Sequence, residues 1–227
     1  MSVSISMRSY LSISHLSAAS LFAKQCSELE KSIDPLKIDP DLRREHNACA
    51  ISSIILSAAF LEAVINEIFS DCAEDYVTER ISQLPAKDLM ARLWKLGIPR
   101  TASYPILEKY EIALELNNKE PVPQGFSPYQ DAKLLIELRN ALIHFEPETI
   151  TSHSSSEERK VHKFEKRLLG KFQENRLVSL GNPFYPDKVL GAGGASWAVS
   201  SAVNFADIFF KNIGILPTYE HVRSTFL

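Results

Sequence analysis

Apolar side chains recur at helical spacing along most of the 227-residue chain, and prolines separate the helical segments from one another. The first segment covers residues 1–35, with apolar positions from about Val3 to Ile33. It ends at Asp34-Pro35, because a residue that precedes proline is pushed away from helical dihedral angles. The pattern therefore predicts an N-terminal helix over residues 1–35.

The second segment predicts the central helix of the fold. Asp39-Pro40-Asp41 offers an N-terminal cap at its start. The apolar residues that follow keep a helical period as far as about Ala73, and they include Ile51, Ile55, Ala58, Ile65 and Phe69. Further apolar residues widen this stripe, which predicts a helix over residues 41–73 that is buried on more than one side.

The second half of the chain predicts two more long helices with irregular segments between them. Leucines mark a helix over residues 127–145, which Pro147 ends, and a final helix is predicted over residues 195–213. Residues 174–194 are rich in glycine and proline and leave room for at most a small β-hairpin. We therefore expect one all-α domain over residues 1–227, arranged as a helical bundle.

Composition and charge narrow the classes of partner. The chain has 45% hydrophobic and 23% charged residues, and its formal charge of −3 excludes a global basic field, so nucleic acid must bind a local patch. The three cysteines lack the spacing of a zinc site, and we expect a cytoplasmic protein with no metal and no cofactor. The most apolar tract, Cys49 to Leu61, is shorter than the roughly 18–20 residues of a membrane span, so we expect no membrane segment.

The helix over residues 127–145 has two different apolar faces. Its leucines and Phe145 fall on one side of a helical wheel. Asn140 and His144 lie one turn apart, about 100–140° further round, with Ile136 and Ile143 beside them. A face that meets only water does not need isoleucines, so we infer that a second surface packs there, most simply a partner subunit.

The polar residues of this helix suit phosphate chemistry. His144 lies in the last helical turn, where exposed carbonyl oxygens favour the imidazolium form. Arg139 keeps its proton at all ordinary pH values, and its planar guanidinium fits a phosphate. A fixed cation beside a titratable acid or base is what phosphodiester cleavage requires. The alternative is a surface arginine together with a histidine that only favours the helix dipole.

The run Arg139-Asn140-Ala141-Leu142-Ile143-His144 resembles the R-x4-H motif of the HEPN superfamily (higher eukaryotes and prokaryotes nucleotide-binding). Catalytic members usually have a polar residue directly after the arginine, and Asn140 fits that position. The stretch from Ala59 to Glu67 resembles the long helix that accompanies the motif in bacterial HEPN-like proteins, and a weaker likeness runs from Ser196 to Phe210.

This resemblance implies a helical bundle that forms a homodimer, with two motifs meeting in one cleft. It also implies a metal-independent endoribonuclease, in a toxin or phage-defence setting, with Arg139, Asn140 and His144 as catalytic residues. In the implied mechanism a ribose 2′-hydroxyl attacks the adjacent phosphorus, which gives a 2′,3′-cyclic phosphate and a 5′-hydroxyl. The alternatives are a noncatalytic module that binds nucleotide or protein and dimerises, and a toxin held inactive by a nucleotidyltransferase antitoxin.

Glu62 and Asn66 are candidates for a supporting role. Glu62 falls within the apolar stripe of the central helix, and a buried carboxylate is costly unless a cation faces it. We expect Arg139 to be that cation, with Asn66 one turn away as a further hydrogen-bonding group. The alternative is a Glu62 that reaches the helix margin and meets solvent or a lysine.

A locally basic helix is predicted over residues 159–171. Its cations are candidates for contact with an RNA backbone, and we single out Arg159, Lys163, Lys166 and Arg167. The alternative is a solvated face over a core stripe of Val161, Phe164 and Leu168.

Overall fold

Helices and connecting loops make up all of the chain that the structure describes. The structure is a computed structural model that describes residues 7–74, 79–100, 104–147 and 162–226. Within these ranges the α-helices are α1 (Ser12–Ser32), α2 (Pro40–Cys72), α3 (Glu79–Ser82), α4 (Lys87–Lys95), α5 (Ile106–Leu116), α6 (Tyr129–Ile143), α7 (Lys163–Leu168) and α8 (Ala192–Ile213). A π-type turn covers Phe184–Lys188, and a 3-10 helix covers Glu220–Thr225. The predicted all-α class is confirmed.

The central position of α2 follows from its wide apolar stripe. It packs against α1, α3, α4, α5, α6 and α8. Ile54, Leu61 and Ile65 are fully buried, as the prediction of burial on more than one side requires. The helix begins at the predicted cap, where the Asp39 carboxylate accepts a hydrogen bond from the backbone N–H of Asp41 at 2.8 Å.

Helix α2 is also the one helix within the described ranges that is long and apolar enough to cross a membrane. The mean hydropathy of its most apolar 18-residue window is 2.1. In this structure 56% of that window is buried inside the protein, as is common for the core helix of a soluble bundle. The apolar surface of α2 therefore forms the core of the fold described here.

Helix α1 begins at Ser12, later than the predicted start near residue 3. The Glu67 carboxylate of α2 accepts hydrogen bonds from the backbone N–H groups of Leu11 and Ser12, both at 2.8 Å. It also accepts one from the Ser12 hydroxyl at 2.6 Å. Glu67 therefore satisfies the amide groups that a longer helix would have bonded internally, and it fixes the start of α1 on α2. Residues 1–6 of the predicted helix lie outside the described residues.

The small hairpin considered for residues 174–194 is absent, since no strand occurs between residues 162 and 226. Pro186 has no N–H for strand pairing. The Asn175 side chain donates to the carbonyl oxygens of Asp187 at 3.1 Å and Leu190 at 2.7 Å. These backbone groups are thus satisfied by a side chain, and the segment forms a compact loop before α8.

The predicted basic helix is described only from residue 162 onward, where it forms α7. His162 caps this helix, because its Nδ1 accepts the backbone N–H of Phe164 at 3.2 Å. The helix stops before Gly170, which has a φ of +81° that favours glycine. Arg159 lies outside the described residues.

Candidate functional site

The motif residues lie at the C-terminal end of α6. Leu138 is fully buried and helps to hold α6 against α2 and α8. Arg139 is partly exposed, and Asn140 and His144 are exposed. His144 ends the helix, and its backbone N–H donates to the carbonyl oxygen of Asn140 at 2.9 Å. The fold therefore fixes the backbone of the motif and leaves most of its polar side chains accessible.

Glu62 of α2 holds Arg139. Nη2 of Arg139 lies 3.8 Å from Oε2 of Glu62, so the predicted ion pair is present. The Arg139 side chain is 23% exposed and the Glu62 side chain is 38% exposed. The guanidinium makes no shorter polar contact with any described residue. As far as the described residues are concerned, its remaining N–H donors are available to an anion.

A buried lysine, which the sequence analysis did not single out, joins this pair. The Lys109 side chain on α5 is only 1% exposed. Its Nζ lies 3.4 Å from Oε1 of Glu62 and 3.2 Å from Oδ1 of Asn66. Glu62 therefore contacts two cations, and Asn66 contacts Lys109. We call the four residues Glu62, Asn66, Lys109 and Arg139 the polar cluster.

The polar cluster contains two cations and one anion. An ammonium group with almost no exposure is costly unless oxygen atoms surround it, which accounts for Glu62 and Asn66 beside Lys109. The single carboxylate of Glu62 is shared, so the cluster has one positive charge in excess. Arg139 is the more exposed of the two cations, so a phosphate from solvent can make charge-assisted hydrogen bonds with it.

The spacing of Lys109 contains the signal that could have predicted its burial. It lies three residues after Ile106 and four before Ala113, and both of these residues are buried. Residues at these intervals share one face of a helix. A lysine on the core face of α5 requires an anionic partner, just as Glu62 on the apolar stripe of α2 requires a cation.

Asn140 and His144 are not brought into the polar cluster. Their side chains make no hydrogen bond or ion pair within the described ranges. Residues 139 and 144 are separated by about 7.5 Å along an α-helix and about 140° around its axis. A phosphate that contacts both Arg139 and His144 must therefore lie across the end of α6 or meet one of them from a second copy of the chain.

The face that predicted a partner surface divides into two parts. Ile136 packs against the core of its own chain. Ile143 stays 49% exposed, and Phe145, which was predicted on the leucine face, stays 45% exposed on the other side of His144. This apolar rim at the end of α6, Ile143 and Phe145, is available to a second surface.

The basic residues of α7 that are candidates for contact with an RNA backbone differ in whether their charge is already paired. Lys163 and Lys166 are exposed. Arg167 pairs with Glu137 of α6, with Nη2 at 3.3 Å from Oε1, so its charge is already balanced. Among the described candidates, Lys163 and Lys166 remain for contact with an RNA backbone.

Aromatic contacts bring the start of α7 next to the end of α6. The Tyr185 ring lies 6.2 Å from the ring of Phe145 and stacks on the ring of His162 at 4.9 Å, measured between centroids. The start of α7 therefore lies close to the end of α6.

Comparison with other proteins does not assign the chain to a family. No protein-family model matches it, and neither a curated protein nor a solved structure does. A function for the chain must therefore be argued from the chemistry of its own site.

Proposed function

We propose that this protein is a metal-independent endoribonuclease of the HEPN type that acts on RNA as a cytoplasmic homodimer. The polar cluster is the observation that carries the proposal. It presents the guanidinium of Arg139, with spare donors and an excess positive charge, on the helix that ends at the exposed His144. A fixed cation and a group that can move protons are the two requirements of phosphodiester cleavage.

In the proposed reaction Arg139 binds the nonbridging oxygens of the scissile phosphate. The 2′-hydroxyl oxygen attacks phosphorus, and the bond from phosphorus to the 5′-oxygen breaks. His144 takes the proton of the 2′-hydroxyl or gives a proton to the departing 5′-oxygen, and the second His144 of a homodimer takes the other role. Asn140, on the same exposed face, orients the phosphate or the imidazole. The products are a 2′,3′-cyclic phosphate and a 5′-hydroxyl.

Glu62 and Lys109 act through Arg139 in this proposal. Glu62 keeps the guanidinium in place by one contact at 3.8 Å, and Lys109 keeps Glu62 in place from the buried side. The contact is loose enough to leave the other donors of Arg139 to the phosphate. Such support from a buried group is how functional side chains are commonly held in position.

The apolar rim at the end of α6 supports the homodimer. Ile143 and Phe145 lie next to His144 and are close to half exposed. Covering them with the same surface of a second copy would bring two motifs together. A nucleotidyltransferase antitoxin remains part of the proposal as a partner that would cover this face and block the cleft.

A second candidate is a noncatalytic HEPN-like module that binds a nucleotide or a protein. The separation of Arg139 and His144 around α6 favours it, because within one copy a phosphate meets both groups only across the end of the helix. In this case the polar cluster binds a phosphate and the rim serves dimerisation only.

The two candidates separate in an RNA cleavage assay. The purified protein is incubated briefly with a mixed RNA pool in EDTA, beside Arg139→Ala and His144→Ala. Arg92→Ala and His221→Ala are matched controls, since both residues are exposed and lie on other elements. We expect the wild type and both controls to cleave, and the two motif variants to be inactive. An inactive wild type that still binds RNA through Arg139 supports the binding module.

A further inference from the structure

A second group of reactive side chains lies near the start of α2. Cys26 and Glu30 are one turn apart on α1, and His46 lies on the first part of α2. One ligand atom from each residue, a sulfur, a carboxylate oxygen and an imidazole nitrogen, lies within 4.8 Å of the other two. Cys26 and His46 are fully buried, and Glu30 is 8% exposed. The sequence analysis missed this group, because the residues share no short motif.

The hydrogen bonds of this group leave one nitrogen without a partner. Oε1 of Glu30 accepts from Nε2 of His46 at 2.9 Å and from the backbone N–H of Ala192 at 2.6 Å. The Cys26 thiol donates to the backbone carbonyl of His46 at 3.8 Å. Nδ1 of His46 is buried and has no hydrogen-bond partner within the described ranges. A buried polar atom without a partner is unfavourable, so this ring has an unused bonding capacity.

We propose that Cys26, Glu30 and His46 bind one thiophilic divalent cation, zinc by preference, which joins α1 to α2. Thiolate, imidazole and carboxylate are the ligands that zinc takes in proteins, at about 2.0–2.3 Å. Atoms on a tetrahedron of that size are about 3–4 Å apart, so a spread within 4.8 Å closes by small side-chain rotations. Magnesium and calcium prefer oxygen ligands alone and do not suit the thiolate.

The charges of the three ligands match a divalent cation. Binding releases the thiol proton of Cys26 to solvent, and the resulting thiolate and the Glu30 carboxylate balance two positive charges. His46 binds as a neutral ring. The loaded site is therefore neutral, which is the least costly state for a buried group. Without a cation, burial and the neighbouring Glu30 raise the pKa of Cys26 to about 12 and keep the thiol protonated.

Solvent reaches the group on the side of Glu30. The side chain of Glu30 is 11% exposed, whereas that of His46 is 1% exposed. The fourth position of a tetrahedral ion is then filled by a water molecule or by the second carboxylate oxygen of Glu30.

This site is independent of the proposed ribonuclease site. His46 and Glu62 are 16 positions apart on α2, or about 24 Å along the helix axis. The cation stabilises the contact between α1 and α2 and takes no part in RNA cleavage. Either proposal can therefore fail without the other.

Cobalt is the probe for the experiment, because a Co²⁺–thiolate bond gives an intense charge-transfer band in the near ultraviolet. The full-length protein is stripped of metal and titrated with Co²⁺, beside Cys26→Ala, Glu30→Gln and Cys72→Ala. Cys72 is the matched control, since it is also buried and its pKa is also raised to about 12. We expect one equivalent to bind to the wild type and to Cys72→Ala. The band should be absent in Cys26→Ala, weaker in Glu30→Gln, and abolished in the wild type by one equivalent of Zn²⁺.

Thermal unfolding gives a second readout that does not depend on colour. Zinc in large excess over its dissociation constant should raise the unfolding midpoint of the wild type by about 10 °C and leave that of Cys26→Ala unchanged. A wild type that shows no stoichiometric band overturns the proposal, whether or not Cys26→Ala folds. A band that Cys72→Ala removes and Cys26→Ala keeps also overturns it.

Discussion

Two groups of polar side chains along α2, the group of Cys26, Glu30 and His46 and the polar cluster, differ in burial and in charge. His46 and its partners near the start of the helix are almost fully buried, and a divalent cation would make them neutral. Glu62 and Arg139 in the polar cluster are 38% and 23% exposed, and the cluster has an excess positive charge. A closed, neutral group stabilises a fold, whereas an open, positive group can bind an anion from solvent. The contrast assigns stability to the first group and ligand binding to the second.

The largest effect is expected from His144→Ala, at the exposed C-terminal end of α6. The rate of RNA cleavage should fall at least about 100-fold, because general acid–base catalysis contributes about 10²–10⁴-fold. The free energy of unfolding should change by less than about 0.5 kcal/mol, because the side chain is exposed and unpaired within the described residues. Initial rates and urea unfolding measure the two effects, with His221→Ala as the control. A wild-type rate in His144→Ala contradicts the assigned role.

His46→Ala, in the buried group, should give the opposite result: stability falls and the cleavage rate is unchanged. The substitution leaves a cavity and removes a hydrogen-bond partner from buried Glu30, so the free energy of unfolding should fall by about 3 kcal/mol. The cleavage rate per folded molecule should stay at the wild-type value. Urea unfolding monitored by circular dichroism, together with rates corrected for the folded fraction, checks both statements. A His46→Ala variant that is as stable as the wild type but has lost cleavage would contradict a purely stabilising role for this group.

Glu62→Gln tests the link between the polar cluster and the core. Among the described residues, Glu62 is the one carboxylate that contacts the buried ammonium of Lys109, so the substitution should lower the free energy of unfolding by about 3 kcal/mol. Glu137→Gln is the matched control, because Glu137 is exposed to a similar degree as Glu62 but pairs with Arg167, whose side chain is 37% exposed, and such pairs contribute about 0–1 kcal/mol.

The double variant Glu62→Gln with Lys109→Met sharpens this test. It removes both charges and should recover most of the lost stability, since the unpaired ammonium is gone. Urea unfolding of the single and double variants measures the recovery. Equal losses in Glu62→Gln and Glu137→Gln, or a double variant less stable than Glu62→Gln, contradict the account of the cluster.

The smallest effect concerns the pH dependence of stability. Burial, with Asp71 nearby, raises the pKa of Cys72 from 9.0 to about 12. The folded state then keeps its proton while the unfolded thiol ionises, so stability present below pH 9 is lost as the pH rises toward 12. Between pH 9 and pH 10 this loss is about 1 kcal/mol for one thiol.

Cys72→Ala should therefore lose about 1 kcal/mol less stability than the wild type between pH 9 and pH 10. Cys26→Ala should give a similar difference in metal-free protein only, because a bound cation already removes the proton of Cys26. Urea unfolding at a series of pH values, with and without zinc, checks both statements. Identical slopes in Cys72→Ala and the wild type exclude this thiol as a source of the pH dependence.

The sequence predicted those parts of the fold that depend on local patterns. The cap at Asp39 and the course of α2 and α6 follow from helical spacing and from the flanking prolines. The pairing of Glu62 with Arg139 was predicted from the cost of a buried carboxylate, although these residues lie far apart in the chain.

The remaining features depend on contacts that local patterns do not contain. Lys109 was missed although it shares the core face of α5 with Ile106 and Ala113, because its partners Glu62 and Asn66 lie on another helix, α2. The group of Cys26, Glu30 and His46 forms only when α1 packs on α2. Residues 174–194 left room for a small hairpin and form a loop, because the Asn175 side chain bonds carbonyl groups that a strand would have used. In each case a tertiary contact decides the structure.

The product ends of a defined RNA test the central claim most directly. A short end-labelled oligoribonucleotide, and the same sequence as DNA, are incubated with the wild type, and the fragments are analysed by mass spectrometry. Attack by the 2′-hydroxyl with Arg139 and His144 as catalysts predicts fragments that end in a 2′,3′-cyclic phosphate and begin with a 5′-hydroxyl, with the DNA left intact. Fragments with 5′-phosphate ends, or cleavage of the DNA, would contradict the account.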